Sequence, residues 1–172
     1  RKRVLDHLRQ QTYLTKSVKM EVVDLRDEKN PWFYAFYFDG GLLSFTNYLS
    51  HRDKHLQETT FYIEKAVGKV GVEVALTYTD DVETKELSFA NNIYTLDGGM
   101  HLTGFRSALT RVLNDYARAN NYIRENDENL GGDDVREGLV AVISIKMPEP
   151  QFEGQTKGRL GSPEARSATE TV

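Results

Sequence analysis

The stretch LVAVISI, from Leu139 to Ile145, decides the fold because every residue in it except Ser144 is apolar. A strand that is apolar on both sides is typical of the middle of a sheet covered by helices. Pro148 and Pro150 end this strand, since proline lacks the N–H that a sheet requires. The segment Val70–Tyr78 alternates apolar residues with small or polar ones, and it therefore predicts a second strand.

Helices and further strands alternate on either side of these two strands. Apolar residues at helical spacing predict helices over residues 2–14, 42–49 and 102–123, and Ser162 and Pro163 predict the cap and first residue of a last helix. Period-two or aromatic patterns predict strands over residues 17–24 and 32–38. A further strand is predicted to begin at Phe61. Another contains Leu87 and Phe89 and is predicted to continue an antiparallel meander. Loops are predicted over residues 51–59, 124–134 and 151–162. The predicted fold class is α/β (α+β), in two layers with antiparallel content.

The composition limits the function. With 172 residues, 39% of them hydrophobic, and a formal net charge of −4, the chain is expected to form one domain, or one domain and part of another. The absence of cysteine excludes a disulfide scaffold, a thiolate zinc site and a cysteine nucleophile. No apolar run reaches the about 18 residues of a spanning helix, and no secretory h-region is present, so we expect a soluble cytoplasmic protein without a membrane partner. Since the chain starts at Arg1 and stops abruptly at Val172, we expect a piece of a longer polypeptide.

Few residues suggest an active site. His51 and His55 have the i,i+4 spacing of two metal ligands on a helix, but their segment is predicted as a loop and no third ligand is evident, so we expect no metal site. Gln155-Thr156-Lys157 lies in a glycine-flanked loop, where a lysine could reach a phosphate. Most loop lysines are simply solvated, and both interpretations remain open at this point.

The longest predicted helix carries three arginines that could bind phosphates. At about 100° per residue, Arg111 and Arg118 point away from the apolar stripe, and Arg106 lies at its border. A solvated helix face is the alternative interpretation. Since the pI is 5.6, any nucleic acid would be bound through a local patch. The predicted stripe consists of Leu102, Phe105, Leu109, Val112, Leu113, Tyr116 and Ile123.

Several motifs, in order along the chain, resemble the B subunits of bacterial type IIA DNA topoisomerases, which are the ATPase subunits of DNA gyrase and topoisomerase IV. The resemblance covers nearly the whole chain. It departs from the family at Met100, where many relatives have threonine. The motifs are Asn91-Asn92-Ile93, Asp97-Gly98-Gly99-Met100-His101, Gly104–Arg111 (GFRSALTR), Asp134–Leu139 (DVREGL) and Pro150–Lys157 (PQFEGQTK).

The resemblance implies two structural units. Residues 1–40 would be the C-terminal helix and strands of a GHKL-type ATPase domain. Residues 41–172 would be a transducer domain with the fold of ribosomal protein S5 domain 2, in which helices cover one side of a mixed sheet.

The resemblance also implies roles for individual residues. Gln155 and Lys157 of the family's QTK loop would contact the γ-phosphate of ATP, with Lys157 supporting catalysis. Arg106 would line the cavity through which the transported DNA segment passes, and Arg111 and Arg118 would share that lining. The strand Leu139–Ile145 would carry the motion of the loop to the sheet.

By the same resemblance, the chain would couple ATP hydrolysis to DNA strand passage, either in negative supercoiling or in relaxation and decatenation. It would be inactive alone, because ATP and Mg2+ would be bound mainly by a missing part of the ATPase domain. Its partners would be DNA, the A subunit and a second B subunit. Two alternatives are a non-catalytic interaction module without nucleotide contact and an RNA-binding domain of the S5 type.

Overall fold

The structure, a computed structural model, describes residues 1–124 and 126–172. Its helices are α1 (Lys2–Tyr13), α2 (Leu42–Leu49), α3 (Met100–Ala119), α4 (Gly132–Arg136) and α5 (Pro163–Thr171). Its strands are β1 (Met20–Asp24), β2 (Trp32–Phe36), β3 (Phe61–Val67), β4 (Val70–Tyr78), β5 (Lys85–Ala90), β6 (Ile93–Tyr94), β7 (Leu139–Lys146), β8 (Phe152–Glu153) and β9 (Arg159–Leu160).

The central sheet has five strands in the order β3-β4-β7-β5-β6, so the predicted central strand is confirmed. Residues 139–145 are at most 2% exposed. The predicted antiparallel meander is wrong at β5, because β7 lies between β4 and β5 and runs parallel to β5. A strand with apolar residues on both faces needs a neighbouring strand at each edge. The parallel pair of β5 and β7 requires a crossover connection, and α3 lies in it.

Helices cover both faces of this sheet, so the predicted two-layer arrangement with helices on one side is corrected to three layers. On one face, α3 and α5 pack over alternate residues of β4 and β7. On the other face, Leu42 and Phe45 of α2 pack over Ala75, Phe89 and Val142. The mixed α/β fold class is confirmed, and the second helical layer explains why β7 is apolar on both sides.

Several predicted boundaries change. Helix α3 ends at Ala119, and Val112 and Tyr116 of its predicted stripe are 56% and 59% exposed, because the buried side of α3 also faces α5. The predicted loop over residues 124–134 contains the start of α4, and residue 125 lies outside the described residues. The predicted loop over residues 151–162 contains the short hairpin β8–β9. Helix α5 begins as predicted, with Ser162 as its N-cap residue and Pro163 first in the helix, but the Ser162 hydroxyl accepts the N–H of Gln151 at 2.9 Å and makes no capping hydrogen bond.

The N-terminal helix and the β1–β2 ribbon are fixed to the sheet by stacking and by charge. The Tyr13 ring stacks on Phe45 with centroids 4.7 Å apart. The Lys16 ammonium lies 2.7 Å from Glu64 and 3.2 Å from Glu73, both on strands of the central sheet. None of the helices in the described part of the chain has the length and apolar character to cross a bilayer.

Candidate functional site

The QTK motif occupies the tip of the hairpin formed by β8 and β9. The turn closes with the Lys157 N–H donating to the Gly154 carbonyl at 3.3 Å. Both residues have positive φ, 78° at Gly154 and 55° at Lys157. A Cβ at Gly154 would meet no atom within 4 Å, so the glycine serves the backbone conformation alone. The hairpin thus gives the motif a defined shape where the sequence predicted only a loop.

The Lys157 ammonium is exposed and lies 5.8 Å above the centre of the Phe152 ring. The Phe152 ring is half-buried and the ammonium is exposed, and a cation at an exposed site over an aromatic ring is stabilised by about 0.5–1 kcal/mol. This attraction orients the side chain without neutralising it. Among residues 1–124 and 126–172, no carboxylate lies within 4.0 Å of this ammonium. Gln155 is exposed on the same turn. The tip therefore presents a lysine and an amide that can bind an anion.

Arg106 is held by a carboxylate on the neighbouring strand β5. Its Nε donates to both oxygens of Glu86, at 3.2 and 3.0 Å, and its Nη2 also donates to this carboxylate. The Glu86 side chain is only 5% exposed, whereas that of Arg106 is 43% exposed. The hydrogen bonds to Glu86 raise the pKa of Arg106, and the guanidinium keeps one edge towards solvent.

The other predicted arginines lie in different surroundings. Arg111 is exposed and donates to the Glu170 carbonyl at 3.3 Å. Arg106 and Arg111 line one open groove of about 530 Å³, to which Arg136 of α4 also contributes. The guanidinium of Arg118 lies outside that lining and holds the loop after α3, donating to Asn129 Oδ1 at 2.8 Å and to two backbone carbonyls.

Sequence reasoning gave Arg136 no role, although it lies inside a quoted motif. Its side chain pairs with Asp133 at 2.6 Å and is 21% exposed. The i,i+3 spacing of these two residues was the available signal, but Asp133 was predicted to lie in the loop over residues 124–134, and such spacing pairs side chains only within a helix.

The histidines form hydrogen bonds within the fold. His51 Nδ1 lies 2.6 Å from the Tyr48 carbonyl oxygen, and His55 Nε2 lies 2.8 Å from the Ser50 hydroxyl. His101 is fully buried, and its burial lowers its pKa to about 4. The described residues contain no group of three or more histidine, cysteine or acidic side chains placed to hold a metal ion.

The fold is shared with solved ATPase fragments of type IIA topoisomerases. The 43K ATPase domain of Thermus thermophilus gyrase B, crystallised in complex with an aminocoumarin, matches with a TM-score of 0.87 and 38% identity, over 99% of this chain and 45% of that one. The topoisomerase IV ATP binding domain of Francisella tularensis shares the fold, with a TM-score of 0.78 and 23% identity, over 99% of this chain and 46% of that one. The shared architecture, together with the 38% identity to gyrase B, defines a B-subunit region of this class of topoisomerase.

The sequence comparisons identify the family. The family model for DNA gyrase B matches residues 41–172, and the chain belongs to the DNA gyrase B family. It is 46% identical to the DNA gyrase B protein of Clostridium acetobutylicum, over 96% of this chain and 26% of that protein. It is also 46% identical to the DNA gyrase B protein of Halalkalibacterium halodurans, with the same coverage. The chain thus spans about a quarter of the length of these curated relatives.

Proposed function

We propose that this chain is the part of a cytoplasmic gyrase-type B subunit that couples ATP binding and hydrolysis to DNA strand passage. Residues 1–40 are the end of the GHKL ATPase domain in this proposal, and residues 41–172 are the transducer domain. The complete enzyme would contain a second B subunit and the A subunit. Mg2+ would accompany ATP and be held by the preceding part of the ATPase domain.

The observation that carries this proposal is the free charge at the hairpin tip. A lysine without a carboxylate partner in the described residues can form a charge-assisted hydrogen bond to a phosphate, and such bonds are stronger than neutral ones. Gln155 on the same turn can donate its amide to the same group. While ATP is bound, these contacts would hold the transducer at one angle to the ATPase domain. Hydrolysis and loss of phosphate would remove that differential contact and release the transducer.

The DNA-facing part of the proposal rests on the groove beside α3. The groove brings Arg106 and Arg111 together with Arg136, and guanidinium groups suit phosphates. Arg118 stays a predicted DNA contact, although a phosphate would compete there with three hydrogen bonds to the loop.

Replacing Lys157 tests the nucleotide role. In the full-length B subunit, Lys157→Ala is expected to slow ATP turnover about tenfold or more, since losing one charged hydrogen bond removes about 1.5–3 kcal/mol. Lys65→Ala removes an exposed lysine from β3 and serves as the matched control. Turnover is measured by phosphate release. Equal rates in the two variants would leave Lys157 as a solvated lysine and favour a non-catalytic interaction module.

A further inference from the structure

The base of the QTK hairpin is bonded to the segment that begins helix α3. The Asp97 N–H donates to the Gly158 carbonyl at 2.8 Å, and the Leu160 N–H donates to the Gly98 carbonyl at 3.1 Å. Residues 99 and 160 form a parallel β-bridge. We call Asp97, Gly98 and Gly99 the hairpin anchor. The anchor joins the Asp97–His101 motif to the residues that directly follow the QTK motif, and the bonded pair Gly98 and Leu160 lies about sixty residues apart in the sequence.

Two glycines lie at this approach, and the closer contact is at Gly99. Gly99 has φ 136°, and a Cβ there would lie 2.4 Å from the Leu160 carbonyl oxygen. A Cβ at Gly158 would lie 2.6 Å from Asp97 Oδ2. Gly99 has no room for a side chain, because the backbone of Leu160 passes directly against it. At Gly158 the neighbouring atom is the end of the Asp97 side chain, which can move, whereas Gly154 at the tip stands in open space.

The anchor adjoins buried structure on the α3 side and on the hairpin side. Leu160 is fully buried in the cluster that contains Phe105 of α3 and Ala165 of α5. Gly99 is the N-cap of α3, and Arg106 follows seven residues later, about 10 Å along the helix axis at 1.5 Å per residue. A displacement of the hairpin therefore reaches the first turn of α3 through short backbone contacts.

The alternative path through β7 is longer and is interrupted. Five residues separate the end of β7 from β8, and Pro148 and Pro150 are among them. The first of the five, Met147, is bonded to Asn91 through both its N–H and its carbonyl, each at 2.9 Å. These bonds tie the segment to the turn between β5 and β6, so motion of the hairpin would have to pass this tether before it reached the central strand.

We propose that the hairpin anchor is the positioning element that transmits the state of the QTK hairpin to α3 and so to Arg106. The inference rests on the proposed contact between Lys157 and ATP. It replaces the path along Leu139–Ile145 with a direct one from the hairpin base to the helix. The anchor residues touch neither nucleotide nor DNA in this proposal, and they act through the elements that do.

Amide hydrogen exchange in the full-length B subunit tests the path without relying on a variant of the anchor. Binding of the non-hydrolysable analogue adenylyl imidodiphosphate is expected to slow exchange at the amides of residues 98–104. Lys157→Ala, at saturating analogue, is expected to abolish this response. The amides of the β3–β4 turn near Gly68 serve as the internal control and are expected to change little.

The outcomes separate the two proposals. If Lys157→Ala slows ATP turnover but the wild-type amides of residues 98–104 do not respond to the analogue, the anchor proposal is overturned and the nucleotide role of Lys157 stands. A response that persists in Lys157→Ala also overturns the anchor proposal. If turnover is unchanged in Lys157→Ala, the proposed function itself fails.

A glycine variant gives the functional readout. With the A subunit present, Gly99→Ala is expected to lower the number of strand passages per ATP hydrolysed about fivefold or more, the size of a typical coupling effect. Gly68→Ala introduces a Cβ at positive φ in open space and controls for backbone strain. Its passages per ATP should stay within about twofold of wild type. Equal ratios in the two variants would contradict the proposal.

Discussion

At the scale of single residues, His101 shows how burial sets chemistry. It is the second residue of α3 and is fully buried. Its Nε2 lies 3.2 Å from the Thr95 hydroxyl, and its Nδ1 has no hydrogen-bond partner among the residues that the structure describes. Removal of water from the ring lowers its pKa to about 4. The folded chain therefore holds this imidazole neutral at pH 7.

Acidification is expected to destabilise the chain through His101. Its unfolded pKa is about 6.5, above the folded value, so the unfolded state takes up more protons as the pH falls from about 6.5 towards 4. The free energy of unfolding that depends on neutral His101 is therefore fully present above pH 6.5. It falls by about 3 kcal/mol at most as the pH drops to about 4. Urea unfolding at pH 7 and pH 5 measures the loss. The His101→Gln side chain cannot be protonated, so this variant should lose less stability than wild type between pH 7 and pH 5. Equal losses in the two proteins would exclude His101 as the cause.

The sequence predicted which side chains are exposed to solvent. It did not predict which residues from other elements contact them. Lys157 and Arg111 were predicted to be accessible, and both are exposed. The carboxylate that holds Arg106 was not predicted, because Glu86 lies on another strand and no local pattern joins it to α3. The same limit hid the contact between Gly99 and Leu160. Periodic patterns report one element at a time, whereas a site is made where elements meet.

At the scale of elements, the local patterns predicted most helices and strands but not their order. Strands β4 and β7 were predicted from alternation and from a continuous apolar run, and both are confirmed. The insertion of β7 between β4 and β5 depends on pairing across more than fifty residues, which no window of the sequence contains. Short elements such as α4 and the β8–β9 pair were missed because they are too small to show a period.

At the contact between α3 and α5, helix propensity and packing have opposite effects on the stability of the Gly104→Ala variant. Alanine is favoured over glycine within a helix by about 1 kcal/mol, so helix propensity alone says that Gly104→Ala stabilises the chain. A Cβ at Gly104, however, would lie 2.6 Å from the Arg166 carbonyl oxygen on α5. Overpacking of this kind costs about 1–3 kcal/mol, so we expect net destabilisation.

Thermal unfolding decides between these two effects. Ser107→Ala, at an exposed position of the same helix, is the control, since it raises propensity without a clash. We expect the melting temperature to fall in Gly104→Ala and to rise slightly or stay unchanged in Ser107→Ala. A rise in both would show that α5 moves away from α3 at little cost.

At the scale of the whole molecule, the three layers separate two kinds of surface. Helix α2 covers one face of the sheet, beside the N-terminal helix and ribbon that are fixed to the sheet by Tyr13 and Lys16. Helix α3 covers the other face and carries the arginine groove. With a net charge of −4, the chain does not attract DNA as a whole, and a DNA contact would need a local patch of positive charge such as this groove.

The whole-molecule role of Arg106 can be tested in the enzyme assembled from full-length B and A subunits. Arg106→Gln is expected to lower strand passage per ATP hydrolysed about fivefold, since one phosphate contact is lost, while ATP binding falls less. Arg52→Gln removes the same charge from an exposed position after α2, outside the lining of the groove, and is expected to leave the ratio near that of wild type. Supercoiling or relaxation of plasmid DNA and phosphate release are measured together.

A single substitution at Arg106 also leaves the buried Glu86 carboxylate without its partner, and that alone can destabilise the fold. The double variant Arg106→Gln with Glu86→Gln removes both charges and leaves two amides that can bond to each other. If the loss of strand passage comes from the missing DNA contact, the double variant stays as deficient as Arg106→Gln while its melting temperature recovers. If strand passage recovers together with stability, Arg106 serves the fold through Glu86, and the transported DNA does not depend on it.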